Sequence, residues 1–102
     1  MIPGLSINES SQIIQLISNH NEVEEIVLFG SRAKGNFKKG SDVDLTLKGD
    51  KLNLYLLNDI SREISDLNMP YTIDLSIYHQ IKNDELINHI ERIGQVVFRS
   101  KL

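Results

Sequence analysis

Residues Leu28 to Leu45 read LFGSRAKGNFKKGSDVDL, and they decide the fold. An apolar run, Glu24–Phe29, breaks off at Gly30-Ser31. Such a run of four to eight residues ended by glycine reads as a buried strand entering a tight turn. After Ser31 come ten residues, Arg32 to Ser41, with four cations (Arg32, Lys34, Lys38, Lys39) and no acid. The stretch closes on Asp42-Val43-Asp44, where alternation begins. Asp42, Asp44 and Thr46 fall on one face of a second strand, Val43, Leu45 and Leu47 on the other.

Outward from this pair of strands the pattern is regular. Upstream, Ser6 to Glu9 has the S-x-x-E form of a capping box. Ile13, Ile14, Leu16 and Ile17 then recur at helical spacing, and the helix fades near His20-Asn21. Downstream, Gly49-Asp50 closes the second strand. Leu56, Leu57, Ile60, Ile64 and Leu67 predict a helix over Leu52 to Leu67, stopped by Asn68-Met69-Pro70. Tyr71–Tyr78 alternates again as a third strand, with Thr72, Asp74 and Ser76 on its polar face. Asn83 caps a last helix carrying Leu86, Ile87, Ile90 and Ile93, ended by Gly94. Val96 to Phe98 reads as a short final strand. The order helix, strand, strand, helix, strand, helix predicts an α/β (α+β) domain, helices packed on a small mixed β-sheet.

The chain has 102 residues and a net charge of −3. That length fits a single domain over residues 1–102, with a modest core. The charge argues against broad non-specific nucleic-acid binding, so no direct nucleic-acid partner is expected. There is no cysteine, which removes disulfides, thiolate metal sites and thiol nucleophiles. No apolar run approaches the roughly 20 residues of a bilayer span, and the N-terminus has no apolar signal core. The expectation is a cytoplasmic protein with no membrane contact.

The basic loop and the acids make chemical sense together. Two carboxylates on one strand face repel, and a hard divalent cation such as Mg²⁺ relieves the repulsion. If the second and third strands are neighbours, Asp74 joins Asp42 and Asp44. Three carboxylates support two-metal phosphoryl displacement. Gly30 lets the backbone approach a phosphate, and Ser31 offers its N–H and hydroxyl. A short helix opening at Ser31 would favour an anion. Arg32 is the best fork for phosphate oxygens, with Lys34, Lys38 and Lys39 as weaker contacts. The expected site is therefore a nucleotide polyphosphate held between loop and metal. Taken singly, a Gly-Ser turn, a D-x-D face or a lysine-rich loop is most often plain solvated structure. The combination carries the reading.

Gly30-Ser31, ten residues, then Asp42-Val43-Asp44 resembles the signature of the DNA polymerase β-like nucleotidyltransferase superfamily. The fuller FGSRAKG…SDVDL resembles its minimal nucleotidyltransferases (MNT proteins), and the likeness runs from the first helix through Tyr71–Tyr78. The resemblance implies a polymerase β-like core. It assigns phosphate binding to Gly30, Ser31 and Arg32, and metal and catalytic roles to Asp42, Asp44 and Asp74. It further implies ATP as substrate, Mg²⁺ as cofactor and a HEPN ribonuclease toxin as partner in a heteromeric complex. The function implied is antitoxin action by transfer of AMP to a toxin tyrosine. Two other readings are a binding antitoxin that needs no catalysis, and transfer to a small molecule. The second of these is disfavoured because the chain lacks room for a dedicated small-substrate domain. His20, His79 and His89 match no metal spacing and are expected at the surface or at helix ends. Tyr55, Tyr71 and Tyr78 are expected to pack.

Overall fold

The computed structural model describes residues 1–101. Its elements are α1 (Ile7–Ser18), β1 (Glu25–Phe29), α2 (Gly30–Lys34), β2 (Val43–Lys48), α3 (Leu54–Ser65), β3 (Ile73–Ile77), a 3₁₀ turn (Tyr78–Gln80), α4 (Asp84–Ile93) and β4 (Gln95–Arg99). The four strands lie in the order β3-β2-β1-β4. β1 runs antiparallel to both β2 and β4, whereas β2 and β3 run parallel, so the expected mixed sheet is present. A parallel pair needs a crossover, and α3 supplies it.

The local signals explain the elements. The Ser6 hydroxyl accepts the Glu9 N–H at 3.0 Å while the Glu9 carboxylate accepts the Ser6 N–H at 2.9 Å, closing the box that starts α1. Asn53 caps α3 by accepting the Leu56 N–H at 2.9 Å, and Asn83 caps α4 by accepting the Leu86 N–H at 3.1 Å. Helix α3 is shorter than its apolar stripe predicts. Leu52 precedes the Asn53 cap and Leu67 follows the last turn; both still pack on the core. Asn68 takes a left-handed φ of 54°, which turns the chain before Pro70. Gly94 ends α4 at an ordinary negative φ of −60°. It is needed for space: a Cβ there would lie 2.4 Å from the Ile90 carbonyl oxygen and 2.8 Å from Val27 Cγ1.

Alternation divides the core into two layers. Ile26 and Leu28 of β1, Val43, Leu45 and Leu47 of β2 and Ile77 of β3 meet Ile13 and Ile17 of α1 and Ile60 and Ile64 of α3. On the other face Val27 and Phe29 meet Ile90 of α4, with Tyr78, Ile81 and Leu86 at the margin. Helix α4 thus covers β1, and the Asp44 and Asp74 ends of β2 and β3 stay open. Among the described residues no helix is long and apolar enough to cross a membrane.

Candidate active site

The site begins where β1 ends. Phe29 is the last ladder residue and pairs with Asp44. Gly30 then takes φ +77°, a left-handed value that a Cβ makes costly. A Cβ at Gly30 would also sit 2.2 Å from Asp44 Oδ2, so the Asp44 carboxylate occupies the space a side chain would fill. The expected short helix follows as α2, which places half-buried Ser31 in its first turn. At five residues it builds little dipole, so an anion here would depend on local donors.

Asp44 and Asp74 are direct partners across the parallel ladder, which settles the neighbour question left open by the sequence. Asp42 stands just before β2, exposed, as is Asp74, while Asp44 is half-buried. Burial pushes the Asp44 carboxyl above the usual aspartate range, and the charges of Asp74 and then Asp42 push the same way. Crowded carboxylate oxygens, one of them disfavoured as an anion, are the donor set a hard divalent cation takes. Among the described residues no three acids or histidines already stand at ligand spacing.

Arg32 is not placed with Gly30 and Ser31 as a surface phosphate fork. It is 2 % exposed. Its Nε and Nη2 donate to the Ser41 carbonyl at 3.2 and 2.8 Å, and its Nη1 donates to the Pro3 carbonyl at 2.7 Å. The rings of Phe37 and Tyr71 flank it at 4.9 and 5.5 Å. A buried guanidinium needs its donors satisfied, and here the backbone satisfies them. Arg32 therefore pins the loop onto the chain's first turn. A tight turn completes the connection: Lys38 N–H donates to Ser41 Oγ at 2.8 Å and Ser41 N–H to the Lys38 carbonyl at 3.0 Å. The ordered result delivers Asp42. Lys34, Lys38 and Lys39 stay exposed.

His89 belongs to this site, against the sequence expectation. Its Nε2 accepts the Gly30 N–H at 3.0 Å, and its ring meets Phe29 edge-on. The signal was its place three residues after Leu86 and four before Ile93, on the inward stripe of α4. His20 pairs instead with Glu63 at 2.9 Å, and His79 is exposed. Tyr71 and Tyr78 pack as expected, but Tyr55 is 86 % exposed on α3.

Two cavities, about 360 and 430 Å³, lie along β3 with α3 and behind the Arg32 loop; neither is lined by Asp42, Asp44 or Asp74.

Comparison with known proteins bears on the fold and the family. Among curated proteins no sequence matches the chain. Among solved structures, a toxin–antitoxin with AMP-PNP matches at TM-score 0.72 and 20 % identity, covering 90 % of this chain and 74 % of that one. A tri-AMPylated Shewanella oneidensis HEPN toxin in complex with MNT antitoxin matches at 0.66 and 19 %, covering 91 % and 71 %. The toxin–antitoxin MntA–HepT matches at 0.68 and 17 %, covering 93 % and 74 %. At these identities the likeness is one of fold. The sequence model of the family described as "Polymerase beta, Nucleotidyltransferase" matches residues 11–101. With its Gly-Ser turn seated on Asp44, the ladder partner of Asp74, and the family's sequence model spanning residues 11–101, the chain belongs to the polymerase beta nucleotidyltransferase family.

Proposed function

We propose that this protein transfers AMP from ATP to a tyrosine hydroxyl of a HEPN ribonuclease toxin and thereby acts as its antitoxin. The observation that carries the reading is the pairing of Asp44 with Asp74 beside the Gly30-Ser31 turn. The exposure of Asp42 and Asp74 supports a macromolecular acceptor over a small molecule. The solved structures named above, with their AMP-PNP and AMPylated toxin, support the choice of nucleotide and partner.

In this reading the acceptor oxygen forms a bond to the α-phosphorus of ATP, the α–β phosphoanhydride breaks, and pyrophosphate leaves. Asp42, Asp44 and Asp74 would hold Mg²⁺, which supplies neutralising charge at the phosphates. Asp74, exposed to solvent, would take the proton of the acceptor hydroxyl. Ser31 offers its N–H and hydroxyl to phosphate oxygens. Lys34, Lys38 and Lys39 add a positive field around the polyphosphate. Arg32 acts through the loop it fixes. The catalytic unit is the single domain, working in the cytoplasm beside its toxin.

The test incubates labelled ATP, Mg²⁺ and the helical protein encoded beside this one, and reads intact mass. Wild type should add AMP to that protein, and the Asp42→Asn/Asp44→Asn double variant should not. A stable complex with no AMP added by wild type would replace transfer with neutralisation by binding.

A further inference from the structure

We infer that His89 is a positioning residue for the nucleotide site, one that locks the Gly-Ser turn from α4. The inference rests on the nucleotide-binding role proposed above, and its structural half can be tested without nucleotide.

Gly30 stands where two hydrogen-bond systems stop. The β1–β2 ladder ends at Phe29–Asp44, and the first N–H groups of a helix have no carbonyl four residues back. The Gly30 N–H therefore has no partner from either regular element. Glycine is also the residue least able to hold one backbone conformation by itself. Both problems are met by one atom, His89 Nε2, at 3.0 Å. A backbone N–H can only donate, so this nitrogen carries no proton and the neutral ring's hydrogen is on Nδ1.

The ring is itself held. It meets Phe29 at 6.2 Å between centroids with the planes 80° apart, and the next residue, Ile90, is buried against β1. Through this contact α4 fixes the backbone at Gly30. Gly30 in turn fixes where Ser31 stands relative to Asp44, whose carboxylate already fills the Cβ space. The Gly30 N–H is consequently engaged, and Ser31 is the turn's donor toward phosphate. Loss of the lock releases the turn and weakens nucleotide binding before it alters the acids.

His89→Gln and His89→Asn separate acceptor geometry from bulk. A glutamine amide oxygen reaches the place of Nε2; an asparagine oxygen reaches only the place of Nδ1. The readouts are Gly30 amide exchange in the free protein and Mg²⁺–ATP binding by calorimetry, with melting temperature as the fold control. His89→Asn should speed Gly30 exchange by about tenfold and raise the Kd by about five- to tenfold, the scale of one hydrogen bond. His89→Gln should stay within about threefold of wild type on both readouts. Long-range ¹⁵N spectra of wild type should show the proton on Nδ1. Exchange and affinity unchanged in His89→Asn would overturn the inference, as would a glutamine variant no better than asparagine or a proton on Nε2. Wild type that binds no Mg²⁺–ATP would remove the nucleotide reading, and Gly30 exchange with the ¹⁵N spectrum would then decide the lock alone.

Discussion

Asp44 carries an electrostatic cost that the rest of the fold sustains. Its folded-state pKa is raised by burial first and by Asp74 and Asp42 next. The folded protein thus binds this proton more tightly than the unfolded chain. Stability falls as pH rises from about the ordinary value of 3.8 through the raised value, and the full penalty holds above it. Asp44→Asn should raise the melting temperature at neutral pH in chelator, with the gain vanishing near the acid end of the titration. Mg²⁺ should raise the melting temperature of wild type and leave the variant unmoved. Transfer activity of the variant should drop by about 10³-fold or more, as loss of a metal ligand implies. Arg32 makes the second residue-scale prediction. Arg32→Lys keeps the charge and loses the fork that reaches both Ser41 and Pro3, so it should cost about 2–3 kcal/mol in urea unfolding. Gly30, Ser31 and the two aspartates of the D-x-D could be read from the chain because their types and spacing are local. The direction of Arg32 could not, since its Pro3 partner lies 29 positions away. Neither could His89, whose bond to Gly30 spans 59 positions.

At the scale of elements, periodicity and caps were informative. The Ser6 box, the Asn83 cap and both alternating strands follow from near neighbours in sequence, and each forms where those neighbours predict. Ser6→Ala should lower stability by about 1 kcal/mol, the usual worth of an N-cap side chain, read from the shift in denaturant midpoint. Helix ends were less well specified: Leu52 and Leu67 extend the apolar stripe of α3 but pack from the flanks. Gly94 ends α4 where the sequence expects, at a negative φ, and is also a point of contact between α4 and Val27. Gly94→Ala should push α4 off β1 at a cost of about 1–3 kcal/mol, the range for overpacking. Because α4 carries His89, the same change should loosen Gly30, measurable as faster amide exchange there.

For the whole molecule, strand composition does not dictate strand order. The parallel union of β2 with β3, which brings Asp74 to Asp44, depends on α3 crossing over the sheet, and only the fold shows it. A chain shortened to residues 1–82 retains Asp42, Asp44 and Asp74 but lacks α4 and β4. It should form aggregates by light scattering, because Val27 and Phe29 lose their cover and β1 becomes an apolar edge. The same geometry sets a clock on biosynthesis. β1 lies in the middle of the sheet yet emerges from the ribosome early, and its partner β4 emerges after every other strand. Until then the nascent chain holds Asp42, Asp44 and Asp74 around an unlocked turn beside a bare strand. The turn is therefore set only after the rest of the sheet has been made, and slow decoding of β4 prolongs the time for which β1 has a bare edge.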